Sequence, residues 1–263
     1  MNIKKIIILI ILIVIIVFWE YGLKQKEKSE RNNVKIPVIL YHNFVTTVPD
    51  NDPDNFNYIN TPQSFEENIK TLIDNGYTII SMKELNDTDN GKIKLPEKPI
   101  VIHFDDGYYS NYEYIYPILK KYKIKASMYV VSDRVGKEID GIKYFGWDEC
   151  LEMQNSGLVE IYSHSKRHVF YDRLSVKEVR DDVLESYKVI EKNLGKRELK
   201  VFVYPYGAYT KQAVWVLKLS GIDMQVYDLG MNYFDSFDKS HIKRFNIPCE
   251  MSGEEIVKMI ETL

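Results

Sequence analysis

The chain has 263 residues, 45% hydrophobic and 28% charged, which is enough to bury the core of one domain of barrel or doubly wound size. The formal net charge is -3 at pH 7 and the lysines and arginines are scattered, so nucleic acid is not expected as a partner. Cys150 and Cys249 lack metal-ligand spacing, which disfavours thiol chemistry and leaves a disulfide between them open.

The N-terminus predicts a membrane segment. Residues 6–19 are uninterrupted apolar sequence after Lys4 and Lys5, and residues 20–23 extend the run toward the ~20 residues of a spanning helix. No small-x-small cleavage signal follows, so we predict an uncleaved signal anchor over residues 1–23, with a cleaved, secreted form as the alternative. Basic residues after the run argue against export, but long domains translocate regardless of such counts. We expect a single-pass membrane protein with its main domain outside the cell.

Residues 24–35 are polar and charged without periodicity, which predicts a solvated linker before a domain over residues 36–263. In that domain, short β-rich runs alternate with amphipathic helical runs. The eight predicted strands cover residues 36–41, 77–81, 99–104, 126–131, 158–163, 200–204, 223–227 and 242–247.

The intervening helices have recognisable ends. Thr61 with Pro62 opens one, and Ser175 and Ser252 each begin a capping box. Repeated strand-helix units with nearly continuous apolar strands predict an α/β fold with a parallel sheet, closed or nearly closed into a barrel. Ligands of such folds bind beyond the carboxyl ends of the strands.

Polar clusters follow three predicted strands at that end: "DDGY", "HSKRH" and "PYGAY". His164 and His168, four residues apart, can both reach one metal ion, and a carboxylate from another loop would complete a three-ligand catalytic site. The alternative is two solvent-exposed histidines. Asp105 and Asp106 stand side by side, and a metal-dependent hydrolysis would use both. The metal needs one carboxylate as ligand, and the hydrolytic water needs another as general base.

These motifs resemble those of the polysaccharide deacetylases, carbohydrate esterase family four, which share the nodulation-type chitooligosaccharide deacetylase fold. "HFDDG", "HSKRH" and "YPYG" occur in the family's order. The resemblance spans roughly residues 36–250. It implies a distorted, incompletely closed (β/α) barrel, one divalent metal ion, with zinc expected and cobalt or nickel as alternatives, and removal of acetyl groups from sugars.

The resemblance assigns Asp105 as the general base and Asp106, His164 and His168 as metal ligands. Tyr206 matches the tyrosine whose backbone N–H helps to hold the oxyanion.

The chain departs from the family pattern at several positions. Val203 stands where many members have an arginine that pairs with the base. In having no arginine there, the chain resembles the subgroup acting on poly-N-acetylglucosamine. Arg244 could supply that cation, or it could form only a surface ion pair. His103 could orient Asp105, although a packed core histidine is the simpler interpretation.

The family's late histidine motif, which supplies a general acid, is not evident. His42 follows the first strand and therefore either lines the site or has a structural role. We also predict that Tyr108, Tyr204, Pro205 and Trp147 contact substrate, with Trp147 alternatively only packing on its helix.

The expected substrate is a surface polymer of N-acetylglucosamine, either peptidoglycan or poly-N-acetylglucosamine, and the protein is assumed to be monomeric. Three alternatives stay open. An O-acetyl esterase acting on xylan or another glycan would use the same metal and base, and a non-catalytic wall-binding protein would keep the fold. A two-metal phosphoesterase is disfavoured because the additional ligands are not found.

Overall fold

A computed structural model describes residues 15, 16, 19, 34–48, 57–249 and 251–263. The predicted membrane segment, apart from three residues, and the linker up to residue 33 lie outside these ranges. No helix within the described ranges is both long and apolar enough to cross a membrane. Lys35, predicted as the last linker residue, begins the short strand Lys35–Ile36, which pairs with Asn232–Tyr233.

All eight predicted strands are present, with ends that shift by one or two residues. They are β1 (Val38–Tyr41), β2 (Thr78–Ile79), β3 (Pro99–Phe104), β4 (Ala126–Val130), β5 (Val159–Ser163), β6 (Val201–Val203), β7 (Met224–Leu229) and β8 (Ile242–Asn246). Two further short pairs lie outside this sheet, Asn43–Phe44 with Ile59–Asn60 and Glu138–Ile139 with Ile142–Lys143.

The sheet is parallel and closes on itself in the order β1-β8-β7-β6-β5-β4-β3, with β3 returning to β1 and β2 added beside the start of β3. The expectation of an incompletely closed barrel was therefore wrong. Strands β1 and β3 are buried along their whole length, so an open edge there would leave buried backbone N–H and C=O groups without partners.

The barrel is nevertheless irregular, as the expectation of distortion proposed. Strands β5 and β6 are aligned only at Ser163 and Phe202, and the pairing of β7 with β8 shifts register between Val226 and Asp228. The β5–β6 junction is thus the thinnest part of the ring.

Alternation along the strands separates two apolar clusters. The inner cluster takes Val38, Val101, Tyr129, Tyr162 and other residues from the strands of the ring. Residues of the opposite parity join the helices in the outer cluster. Because successive strand residues face opposite ways, the last inward positions lie at the carboxyl end of the barrel, and Asp105, His164 and Arg244 continue that inward set.

The described residues include seven α-helices: α1 (Pro62–Asp74), α2 (Met82–Asp89), α3 (Tyr116–Tyr122), α4 (Trp147–Asn155), α5 (Val176–Leu194), α6 (Lys211–Leu219) and α7 (Gly253–Thr262). The predicted caps at Thr61, Ser175 and Ser252 are confirmed, and each is a reciprocal capping box.

Helix α2 covers the amino end of the barrel, where Met82 and Leu85 join the inner cluster. The carboxylate of Glu160, on β5, accepts hydrogen bonds from the backbone N–H groups of Met82 and Lys83 and from the Ser127 hydroxyl. It thereby binds the orphan N–H groups at the start of α2.

Candidate active site

A pocket of about 860 Å³ opens at the carboxyl ends of the strands. Its lining includes all seven residues predicted from the sequence to catalyse or to bind metal: His42 and Tyr206, treated below, and Asp105, Asp106, His164, His168 and Arg244. The last five reach one place because Arg244 lies on β8, Asp105 and His164 directly follow β3 and β5 and continue their inward alternation, and Asp106 and His168 lie in the same two loops.

Asp106, His164 and His168 form a compact group of possible metal ligands. One ligand atom from each residue lies within 4.8 Å of the others. His168 Nε2 is 3.1 Å from Asp106 Oδ1, and His164 Nε2 is 4.0 Å from the same oxygen. The structure thus brings together the three residues that were predicted as ligands.

The second ring nitrogen of each histidine is engaged elsewhere. His164 Nδ1 lies 3.0 Å from the Val203 carbonyl oxygen, and because a carbonyl can only accept, this nitrogen donates. His168 Nδ1 lies 3.0 Å from the Tyr206 hydroxyl. With its proton on Nδ1, each ring presents the Nε2 lone pair to the other ligands.

Two imidazole nitrogens and one carboxylate fit a divalent metal of the zinc type, and such a set leaves coordination positions open for water or substrate. Burial lowers the pKa of His164 to about 4, so its ring is neutral and able to bind metal at neutral pH. Asp106, His164 and His168 are therefore suited to bind the divalent metal ion that was predicted from the sequence.

Arg244 forms a bidentate ion pair with Asp105. Its Nη1 and Nη2 donate to Asp105 Oδ1 and Oδ2 at 2.9 and 2.6 Å, and both side chains are buried. Arg244 projects from β8, on the far side of β1 from β3. The cation missing at Val203 is thus supplied by another strand, and the alternative of a surface ion pair was wrong.

The pair holds Asp105 in its ionised form. Burial, the strongest influence, raises the pKa of Asp105, but the Arg244 guanidinium and the other surrounding groups outweigh it and hold that pKa at about 2. Burial likewise raises the pKa of Asp106, but its proximity to His168 and His164 outweighs burial and keeps that pKa well below the usual range. Both acids carry charge at neutral pH.

Backbone strain is concentrated at this end of the barrel. Six described non-glycine residues have left-handed φ angles, and four of them form or support the site. These four are Asp106, Ser165, His168 and Tyr206. Such conformations cost of order 1–3 kcal/mol each and persist where neighbouring contacts enforce them. One such contact is the Ser165 hydroxyl, which accepts a hydrogen bond from the His168 N–H at 2.8 Å.

His42 lies on the pocket wall, as one of its two interpretations required. Its ring meets Tyr58 edge to face at 5.0 Å, and its Nδ1 is buried without a partner among the described residues. Burial lowers the pKa of His42, while the charges of Asp105 and Asp106 oppose that shift.

Tyr206, predicted to help hold the oxyanion, and Tyr108, predicted to contact substrate, also line the pocket. We find no acceptor among the described residues for the Tyr206 backbone N–H, which is the group the resemblance assigned to the oxyanion. Gly207 follows, where a Cβ atom would lie 2.9 Å from the Tyr227 carbonyl oxygen, so this turn requires glycine.

Three residues predicted to bind substrate lie outside the pocket lining. Tyr204 is fully buried and its hydroxyl donates to Gln225. Since Val203 faces the barrel interior, alternation turns Tyr204 outward into the helix layer. Pro205 is buried in the turn, and Trp147 packs against the outer cluster at the start of α4. Trp147 therefore follows its alternative interpretation.

His103 is a packed core histidine, as the simpler interpretation proposed. It is fully buried, and its Nε2 is 3.0 Å from the Tyr129 hydroxyl inside the barrel.

Sequence reasoning missed Arg134. Its Nη1 lies 3.5 Å from Asp106 Oδ1 and 3.4 Å from the Tyr144 hydroxyl. The available signal was its position shortly after β4, a fourth polar cluster at a strand end. Tyr58, Tyr227 and Asn246 also line the pocket, and no motif marked them.

Comparison with known proteins gives a consistent relationship. Residues 92–225 match the polysaccharide deacetylase family. The poly-beta-1,6-N-acetyl-D-glucosamine N-deacetylase of Staphylococcus aureus is 30% identical over 177 residues, which cover 63% of this chain and 60% of that protein. YxkH of Bacillus subtilis, named for the same family, is 29% identical over 193 residues, 73% of this chain and 64% of its own length. The matches thus span less than two thirds of these relatives.

Solved structures share the fold. A de-N-acetylase from Aggregatibacter actinomycetemcomitans superposes with a TM-score of 0.73 at 27% identity, covering 85% of this chain and 99% of that one. The Streptococcus pyogenes deacetylase PplD, in complex with acetate, gives 0.77 at 23% identity, covering 87% and 99%.

Proposed function

The chain belongs to the polysaccharide deacetylase family, and we propose on that premise that it is a metal-dependent hydrolase that removes N-acetyl groups from a polymer of N-acetylglucosamine. One observation carries the proposal: a buried Asp105–Arg244 ion pair stands beside the Asp106, His164 and His168 group in a single pocket.

Asp105 is suited to act as general base. Its carboxylate is ionised, and Arg244 fixes its plane through two hydrogen bonds. Asp105 Oδ2 is 3.7 Å from His164 Nε2, so base and ligand group border the same space. A water held there can lose a proton to Asp105 as it attacks the acetamide carbonyl.

Asp106, His164 and His168 would hold the divalent ion, zinc in our proposal. When bound, such an ion polarises the carbonyl and lowers the pKa of water from 15.7 to about 7. The backbone N–H of Tyr206, with no acceptor of its own among the described residues, is available to donate to the developing oxyanion. A donor of this kind contributes about 3 kcal/mol in other hydrolases.

The leaving amine must gain a proton, and His42 is our candidate donor. It shares the pocket with Asp105 and lies at the carboxyl end of β1. Because burial lowers its pKa, His42 starts neutral near pH 7, so it would first receive the proton that Asp105 takes from the water and then give it to the nitrogen.

For the substrate, we favour β-1,6-linked poly-N-acetylglucosamine over peptidoglycan. The support is the 30% identity to the staphylococcal enzyme of that name. The open pocket, with Tyr58, Tyr108 and Tyr206 on its walls, offers aromatic surface for sugar rings.

The test is acetate release by the full chain, stripped of metal and reloaded with zinc, cobalt or nickel. Oligomers of β-1,6-linked N-acetylglucosamine would be compared with peptidoglycan fragments and acetylated xylan. Asp105→Asn is the inactive variant, and Asp87→Asn, a surface carboxylate paired with Lys83 and Lys92, is the control.

We expect metal-dependent acetate from the β-1,6 oligomers, lost in Asp105→Asn and kept in Asp87→Asn. Acetate released from peptidoglycan alone would make peptidoglycan the substrate in place of poly-N-acetylglucosamine. Acetate from xylan alone would replace the proposal with an O-acetyl esterase, and metal binding without any turnover would replace it with a wall-binding protein.

We also propose that the domain lies outside the cell and is held at the membrane by residues 1–23. Its support is the apolar run over residues 6–19 after two lysines. Membrane fractionation with protease treatment of intact cells tests this: the domain should sediment with membranes and be cut from outside.

A further inference from the structure

The Tyr206 side chain contacts a residue of the ligand group. Its hydroxyl lies 3.0 Å from His168 Nδ1, on the opposite side of the ring from Asp106. We propose that Tyr206 is a positioning residue, whose hydroxyl orients His168 for the metal. This inference rests on the proposed metal-dependent function and assigns to the side chain a role separate from that of the backbone N–H.

The two histidines differ in what holds them. His164 donates to the Val203 carbonyl oxygen, a fixed backbone acceptor inside the barrel. Among the described residues, the Nδ1 partner of His168 is a side-chain hydroxyl, which can either accept or donate. For Nε2 to bind metal, Nδ1 must carry the proton, so Tyr206 must accept. The position of His168 therefore depends on the position of the tyrosine ring.

Tyr206 is 58% exposed, but one face of its ring is held by a neighbouring aromatic residue. It stacks on Phe170 with centroids 4.0 Å apart and planes 9° apart, and the Arg173 guanidinium lies 4.2 Å from the Phe170 ring. The Tyr206 backbone adopts φ 60° and ψ 10°, a left-handed conformation that its neighbours must enforce. Phe170 thus helps to position the Tyr206 ring, and the Tyr206 hydroxyl in turn helps to position His168.

Tyr206 also connects two parts of the proposed reaction. Its N–H is the candidate oxyanion donor, and its hydroxyl holds a candidate ligand. A shift of this one residue would move both, so the distance between oxyanion donor and ligand group is set within a single residue.

The test is the Tyr206→Phe variant of the full chain, which keeps the ring, the stacking and the backbone. The Zn²⁺ dissociation constant is measured by competition with a chromophoric chelator, and the visible spectrum of the Co²⁺-loaded protein reports ligand geometry. Tyr112→Phe is the control, because it removes a hydroxyl hydrogen bond to Glu152 remote from the pocket.

We expect Zn²⁺ to bind about 10- to 100-fold more weakly to Tyr206→Phe, the usual effect of losing a hydrogen bond to a ligand. The Co²⁺ spectrum should change, while Tyr112→Phe matches the wild type in both measurements. Unchanged affinity and spectrum in Tyr206→Phe would overturn the inference and leave the proposed function intact. A wild-type protein that binds neither metal would overturn both, and one that binds metal without releasing acetate would overturn only the function.

Discussion

The two ends of the barrel each hold an inward-facing carboxylate, and the two are bonded in opposite ways. At the carboxyl end, Asp105 pairs with the Arg244 guanidinium, which keeps its pKa at about 2 although burial alone would raise it. At the amino end, Glu160 accepts hydrogen bonds from neutral donors, among them two backbone N–H groups and the Ser127 hydroxyl, and burial raises its pKa.

The difference shows how partners decide what a buried acid can do. Neutral donors satisfy Glu160 as an acceptor but do not offset the cost of its charge, which suits a residue that binds the end of α2. A guanidinium stabilises the charge itself, which suits a base that must be ionised before the reaction. Backbone strain is also concentrated at the carboxyl end, where four of the described left-handed residues lie.

The largest difference between the two ends is expected when Asp105 itself is replaced. Asp105→Asn removes the general base, and we expect kcat to fall by about 10²- to 10⁴-fold. Glu160→Gln is the matched change at the other end, and kcat should be unchanged. Steady-state acetate release measures both, and equal losses in the two variants would contradict the division of roles.

Arg244→Met removes the cation and leaves a buried carboxylate unpaired. Such a break costs about 3–5 kcal/mol in the free energy of unfolding. Without the guanidinium, burial raises the pKa of Asp105, so the acid limb of the kcat/KM profile should move to higher pH. Lys243→Met, on the exposed neighbour of Arg244, is the control. Urea titration and pH-rate profiles measure the two effects, and an unmoved acid limb would argue against Asp105 as the base.

Glu160→Ala tests the amino end. Two backbone N–H groups at the start of α2 would lose their acceptor, and we expect a loss of about 1–3 kcal/mol in unfolding free energy. Zn²⁺ affinity should stay at the wild-type value, because the ligand group lies at the opposite end of the barrel. Denaturant titration beside chelator competition separates the two, and weaker Zn²⁺ binding would show that the ends are coupled.

The dependence of stability on pH should distinguish the two acids. The folded-state pKa of Asp105 lies below its unfolded value of ~3.9, so its contribution of roughly 2 kcal/mol is present above that value and is lost as pH falls toward 2. The raised pKa of Glu160 acts in the opposite sense, so protonation at mildly acidic pH is stabilising until its unfolded pKa is reached. Urea titrations from pH 7 to 2, repeated on Glu160→Gln, measure both, and a flat profile down to pH 2 would contradict the Asp105 contribution.

Sequence reasoning succeeded where a local rule was enough. Strand positions followed from apolar runs, and helix starts followed from capping residues such as Ser175. The grouping of Asp106 with His164 and His168 followed from their positions after strand ends, together with the family resemblance.

It failed where the answer depended on distant strands. Whether the ring closes is decided by the pairing of β1 with both β3 and β8, and no single segment encodes that. Arg244 was predicted to supply the missing cation, but a surface ion pair stayed equally open, because a contact with Asp105 across 139 positions has no local signal. The prediction that Tyr204 contacts substrate failed for a different reason. It followed the "YPYG" motif, although strand alternation from Val203 indicated that the Tyr204 side chain points outward.

Ring closure also bears on how this protein would behave when stressed. Each of the seven described ring strands has a hydrogen-bonded neighbour on both sides, so the folded barrel offers no long edge on which another chain could add a strand. The β5–β6 junction, aligned only at Ser163 and Phe202, is where that protection is weakest. Opening there would expose two apolar edges at once, so heat-induced aggregation should begin at this junction and should precede melting of the remaining sheet.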